Sequence, residues 1–196
     1  MGKIGIYEEK FIGNEEELML EWANIQIGPD EYEENIYIFG GCTFENCIIK
    51  LTTPNAEFHQ CVFRGNVVIQ SAGVYDDDCV QLVDISPDVE LVKLKINSKQ
   101  ILVWDSKVTS ATGVLLDGEN VGIHGFDIDG NSQIVFYDTL VVETSKLGNV
   151  DLVCVNRNMA ETEVVISNSC AEFGVIDESD VRHSPGGINN GGIGLN

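Results

Sequence analysis

Positive charge is what this sequence has least of. Eleven Lys and Arg stand against 32 Asp and Glu in 196 residues, a formal net charge of −21. A surface of that sign repels nucleic acid and anionic membranes, so direct binding to either is not expected. It suits basic partners, divalent cations or a nucleic-acid-binding protein, and it also serves plain solubility. No stretch approaches the roughly 18 uncharged apolar residues of a membrane helix, so no membrane insertion is expected. The opening Met1-Gly2-Lys3-Ile4-Gly5 runs quickly into Glu8 and Glu9, unlike a secretory signal. There is no phosphate-binding loop and no Gly-x-Ser-x-Gly. Helical periodicity is almost absent after residue 35, so no helical crossovers are available to build a doubly wound sheet. Hairpin steps are scarce too, with Asp117-Gly118 and Asp129-Gly130 as the candidates.

What is present divides into three zones. Residues 1–34 are very acidic, with Glu15-Glu16-Glu17 and Glu31, Glu33 and Glu34. They read as a cap or attachment segment. Asn14 is placed to cap a short helix with Leu18 and Trp22 on one face, and a strand over the same residues is the rival. Residues 35–181 are rich in Val, Ile and Asn and form the main domain. Residues 182–196 are a Gly/Asn tail. The length suffices for one domain with a real core. Six cysteines, Cys42, Cys47, Cys61, Cys79, Cys154 and Cys170, sit mostly within apolar strand patterns. They read as buried free thiols folded in a reducing place.

In the main domain a phrase recurs: Asn, a β-branched residue, any residue, then Ile or Leu. It occurs at Asn35-Ile36-Tyr37-Ile38, Asn66-Val67-Val68-Ile69, Asn120-Val121-Gly122-Ile123 and Asn149-Val150-Asp151-Leu152, and earlier at Asn24-Ile25-Gln26-Ile27. Several intervals fall near 22 to 32 residues. Alternation marks each phrase as a strand with one face inward, and Asn before a strand suits a turn. Repeated short strands at such spacing predict an all-β solenoid. Residues 114–131 and 35–51 resemble coils of the pectin-lyase-like right-handed parallel β-helix superfamily, and the resemblance covers roughly 35–177. It implies stacked rungs of twenty-odd residues with internal ladders of Asn, Cys and aliphatic side chains. A second, local resemblance is to pentapeptide-repeat proteins. Phe39, Phe44 and Ile49 are five apart, as are Phe58, Phe63 and Val68, with small Cys42, Cys47, Ala56 and Cys61 two places before bulky ones. The rival fold is a β-sandwich or jelly roll.

Three constellations bear on chemistry. Asp76-Asp77-Asp78-Cys79-Val80 is similar to the Gly-Asp-Asp-Cys motif of polygalacturonases, and the resemblance would make Asp77 and Asp78 a catalytic carboxylate pair. The family's other elements are missing: no Asp lies one rung earlier, no Arg-x-Lys occurs, and His124 has Ile123 where a Gly is required. Cys42, Cys47, His59 and Cys61 are a possible soft ligand set for zinc, against a plainer reading as stacked core residues. Asp127-x-Asp129-Gly130-Asn131 resembles the start of a calcium loop but lacks the closing Glu. His183 has no evident partner, and no cofactor is expected.

The leading expectation is a non-enzymatic structural or attachment protein. A phage virion component fits, a decoration, fibre or spike, self-associated as a homotrimer or held by virion neighbours. It would fold in the cytoplasm and end in a virion or outside the cell. The alternative is an acidic, nucleic-acid-mimicking inhibitor of a DNA- or RNA-binding protein. The third is a carbohydrate-binding or glycoside-cleaving β-helix, for which exposed Trp22, Tyr75, Trp104 and Tyr137 would be the aromatic platforms.

Overall fold

The computed structural model describes residues 3–13, 36–51, 55–71, 76–109, 113–155 and 162–173. The Asn14–Trp22 segment, Tyr75, His183 and the Gly/Asn tail lie outside the described residues. Strands β1 (Lys3–Tyr7), β2 (Lys10–Ile12), β3 (Ile36–Gly40), β4 (Thr43–Leu51), β5 (Asn55–His59), β6 (Val62–Ser71) and β7 (Cys79–Val83) come first. The longer β8 (Leu91–Trp104), β9 (Lys107–Thr109), β10 (Gly113–His124), β11 (Asp127–Asp129) and β12 (Asn131–Glu143) follow. β13 (Lys146–Cys154), β14 (Glu163–Ser167) and β15 (Cys170–Phe173) close the series. Each pairing among them is parallel. The fold is a parallel β-solenoid of about six turns, and no sandwich is needed to explain the strands.

Each turn has three walls. Wall A is built from β1, β3, β5, β7, the second halves of β8, β10 and β12, and β14. Wall B holds the short segments that follow, and wall C the next. Along wall A, Ile4, Tyr37, Ala56, Val80, Ile101, Val121, Leu140 and Val164 stack in register. Along wall C the matching inner ladder is Ile49, Ile69, Ile96, Leu116, Ile134 and Leu152. Strand alternation sends every second side chain inward, so these ladders meet in one core. Each fully buried aliphatic or aromatic side chain contributes about 1.5–3 kcal/mol. At the N-terminal end the core is aromatic. Phe11 lies on Phe44 with centroids 4.9 Å apart, and Phe39 lies on Phe58 at 4.9 Å.

The turn from wall A to wall B takes two residues in every rung. The first is left-handed, at Glu8, Gly41, Gln60, Asp84, Asp105, Gly125, Thr144 and Asn168. Its N–H donates to the rung above, as from Gln60 to the Val83 carbonyl at 3.0 Å and from Asp105 to that of His124 at 2.9 Å. L-residues pay roughly 1–2 kcal/mol for this conformation, and the inter-rung hydrogen bond helps to hold them there. From Cys42 to Ser145 the second residue points inward, whereas Glu9 in the first rung is exposed. Where it is Cys or Ser, its side chain donates to the carbonyl two residues back: Cys61 to His59 at 3.5 Å, Ser106 to Trp104 at 2.7 Å, Ser145 to Glu143 at 2.8 Å.

The stack begins earlier than the composition suggests. β1 and β2 pair with β3 and β4, so the first rung lies within the acidic segment 1–34, at 3–12. The rung length varies: register partners are 18 apart at Val114 and Ser132, 24 at Asn55 and Cys79, 27 at Asn66 and Lys93 and 33 at Lys3 and Ile36. Contacts between adjacent rungs join residues 19, 20, 21, 22 or 24 apart. The phrase marks entry into both wall A, at Asn120, and wall C, at Asn66 and Asn149. Its intervals therefore mix whole turns with parts of turns. The five-residue period holds through Phe39, Phe44, Ile49, Phe58 and Phe63, then fails at Val68. Gly65, left-handed at φ +60°, adds a residue, so that Cys47 pairs with Val67 and Ile69 points inward.

Candidate functional site

The outer face of wall A is the candidate. Strand alternation aims Gly5, Ile38, Glu57, Gln81, Leu102, Gly122, Val141 and Val165 outward in one in-register column. The next outward column runs Tyr7, Gly40, His59, Val83, Trp104, His124, Glu143 and Ser167. Tyr7 is 62% exposed and Trp104 41%. The Tyr7 ring lies across Gly5 and Gly40, where a side chain would meet it. The Trp104 and His124 rings stand 5.6 Å apart, tilted by 43°. His124 Nδ1 lies 3.5 Å from a Glu143 carboxylate oxygen, and His59 Nε2 lies 2.8 Å from that of Glu57.

Acidic residues stand on both long borders of this face, at three of the eight left-handed corners on one of them. Glu8, Asp84 and Asp105 are exposed at the left-handed corner. Asp76, Asp77, Glu119 and Asp138 are exposed along the opposite corner. Lys99 is the cation there among the described residues, and its Nζ is 3.1 Å from Asp76. Walls B and C differ. On wall B, Asp127 pairs in register with Lys107 on one side and Lys146 on the other. Arg64 reaches Asp88 at 2.9 Å and Glu90 at 3.4 Å. Burial works against the charged form of the Asp88 carboxyl, but the Glu90 N–H and the guanidinium outweigh it and hold that carboxyl below its ordinary range. On wall C, Lys50, Lys93 and Lys95 stand with Asp117 and Asp151. A shallow groove of about 240 Å³ on this wall is lined by Lys93, Leu115, Gln133 and Asp151 among others. It falls short of the roughly 300–1,000 Å³ of a typical small-molecule pocket.

The structure separates most of the residues that the sequence grouped. Asp77 is exposed, whereas Asp78 is fully buried, and neither of its carboxylate oxygens meets a hydrogen-bond partner among the described residues. The two do not present a pair of carboxylates to one substrate. Cys42 and Cys61 point inward on consecutive rungs at the corner, Cys47 points inward from wall C, and His59 points outward from wall A. These four side chains do not converge, and among the described residues no group of three or more His, Cys, Asp or Glu is placed to hold a metal. Asp127 and Asp129 lie on wall B, while Asn131 has turned the corner and accepts from the Asn149 amide at 3.1 Å. Asp117-Gly118 and Asp129-Gly130 close no hairpin; both lie beside solenoid corners.

Five thiols are free and buried. Burial pushes Cys47 and Cys61 up to about 12 and Cys79 up to about 11, well above the ordinary 9.0. These thiols stay protonated and inert at neutral pH. In native protein at pH 8, Cys47, Cys61 and Cys79 should therefore react negligibly with an aromatic disulfide reagent, and in denatured protein they should react fully. The sign for stability follows. Between pH 9 and 12 the unfolded thiols ionise while the folded ones do not, so stability present below pH 9 is lost as pH rises through that window. A native Cys61 that reacts faster than the protein unfolds, or alkaline stability unchanged to pH 11, contradicts this.

The wall A face was missed in the sequence, although it left a trace. Ile101-Leu102-Val103-Trp104, Leu140-Val141-Val142 and Val164-Val165-Ile166 break the alternation. Continuous apolar runs of this kind mark parallel strands covered on both faces. Comparison of the chain with protein-family models, with curated proteins and with solved structures finds no match.

Proposed function

We propose that the chain is a non-enzymatic structural or attachment protein, with a virion decoration, fibre or spike as the fitting role. The observation that carries this reading is the unbroken inner ladder from Ile4 to Val164. It makes a stiff rod, eight strands high on wall A and roughly 34 Å long at about 4.8 Å per strand. Stacked parallel rungs of this kind also support the finer assignment to the pectin-lyase-like right-handed β-helices. A catalytic role has less support, since Asp77 and Asp78 are divided between surface and core. Self-association as a homotrimer belongs to the same proposal. Wall C suits it, because outward Leu115, Val135 and Val153 lie among charges of both signs. Size-exclusion chromatography with light scattering at micromolar concentration should return three times the chain mass of 21.5 kDa. A stable monomer overturns the self-association.

A second reading is favoured by the acidic borders of wall A. Asp84 and Asp105 sit on consecutive rungs at one corner, and Glu119 and Asp138 on consecutive rungs at the other. Carboxylates repeated at the rung spacing imitate a short stretch of phosphate backbone and suit an inhibitor of a DNA- or RNA-binding protein.

A further inference from the structure

From the outer face of wall A, we infer a docking surface for a cationic amphipathic segment of a partner protein. Such a segment has an apolar stripe flanked by Lys or Arg. The inference rests on reading the chain as an attachment protein, and it names the face and the chemistry of what attaches.

Three observations carry it. The first is an apolar track over β7, β8, β12 and β14, interrupted at Gly122 and His124 on β10 and parted from Ile38 by Glu57 and His59 on β5. Ile38, Val83, Leu102, Val141 and Val165 face outward in two adjacent columns, half-buried, with Trp104 exposed among them. An apolar track with a charged rim marks an interaction site on a protein surface.

The second is the sign of that rim. Glu8, Asp84 and Asp105 border one side, and Asp76, Asp77, Glu119 and Asp138 the other, where Lys99 stands among them with its Nζ 3.1 Å from Asp76. Within the two outward columns the charged side chains are Glu57 and Glu143, with Lys3 and Glu163 at the ends of the neighbouring outward column. Walls B and C interleave Lys or Arg with Asp or Glu, so the excess of acidic over basic side chains among the described residues gathers around wall A. Like charge between such rims works against a second copy of the chain as the occupant, and complementary charge favours a cationic one.

The third is Trp104. An exposed indole between two acidic rows is a site where a Lys or Arg side chain is attracted to the ring face and to carboxylates at once. Dimensions agree as well. The face is roughly 34 Å long, and a helix of about 22 residues spans about 33 Å.

The test is calorimetric titration of the full chain with a synthetic 22-residue Leu/Lys peptide of helical amphipathic pattern. A Gly/Lys peptide of equal charge serves as the comparison. Leu102→Asp with Val141→Asp interrupts the track, and Asp84→Lys with Asp105→Lys reverses one border. Leu115→Asp with Val135→Asp and Asp117→Lys with Asp151→Lys make the same changes on wall C. Trp104→Ala is a milder variant, and circular dichroism checks that each variant folds.

The Leu/Lys peptide should bind, and the Gly/Lys peptide should bind at least about tenfold more weakly. Each wall A variant should weaken the Leu/Lys peptide by roughly tenfold or more, and the wall C variants by less than about twofold. Equal binding of the two peptides, or equal losses from both walls, reduces the effect to bulk charge and overturns the proposal. It is also overturned if the wall A variants dissociate an oligomer in light scattering, since a second copy is then the occupant. The trimer measurement above bears on self-association alone, so the two failures are distinguishable.

Discussion

Phe58→Ala is expected to lower the unfolding free energy by about 3–5 kcal/mol. Phe58 is fully buried in the ladder between Phe39 and Leu82. Its ring lies 4.9 Å from Phe39, 5.5 Å from Phe44 and 6.1 Å from Phe63. A ring lost there leaves a cavity that the surroundings cannot close. Backbone ladders on both sides fix the spacing of the rungs, and a wall cannot move inward without breaking register. The neighbouring outward residue makes the comparison sharp: Val83→Ala should cost less than about 1 kcal/mol. Urea denaturation followed by circular dichroism measures both. In a solenoid each rung contacts its neighbours alone, so a defect this large is also expected to uncouple the rungs up to Ile36–His59 from the rest. That would appear as a broadened or two-step transition. A loss below 1 kcal/mol for Phe58→Ala means that the aromatic end of the core is not packed as described.

Asp78→Asn is expected to raise stability by about 1–3 kcal/mol. Removing a carboxylate from water without a donor to replace its hydration is costly, and among the described residues neither oxygen of Asp78 meets one. The substitution leaves the backbone anchor in place, because the Asp78 carbonyl accepts from Gln100 N–H at 2.8 Å and from Ser98 Oγ at 3.2 Å. Thermal melts of wild type and variant, with Asp77→Asn as an exposed control, measure the gain. A lower melting point for Asp78→Asn contradicts the prediction and shows that the carboxylate is held by a favourable contact.

How much of this was legible in the sequence varies with the physics of each feature. Alternation at Val67-Val68-Ile69, Val121-Gly122-Ile123 and Val150-Asp151-Leu152 marks strands, because an inward face needs apolar side chains at every second place. The scarcity of hairpin steps points correctly to parallel pairing. The small residues Cys42, Cys47, Ala56 and Cys61 are read correctly as buried. The register at Gly65 is not legible, since a single left-handed residue shifts the inward set from Val68 to Ile69. The corner column is equally hidden. Glu8, Gln60 and Thr144 carry no turn signature of their own, and the conformation is set by the rung above through a backbone hydrogen bond. The wall A face was obscured because its apolar runs look like core to a reading that assigns one buried side to each strand. Asp77 and Asp78 look like a pair in sequence, but successive residues near a strand entry point in opposite directions.

The corner between walls A and B spends two residues in every rung, and a left-handed residue ties it to its neighbour. The corner between walls C and A is different. Residues 98–99 join the two walls inside β8, whereas in sequence seven residues separate β6 from β7 and eight separate β13 from β14. Changes in chain length are therefore tolerated at the corner between walls C and A and resisted at the corner between walls A and B. New loops, tags or binding segments introduced at the first of these corners emerge beside the acidic border of wall A, so the molecule can diversify where it meets its partners without disturbing the coil that supports them.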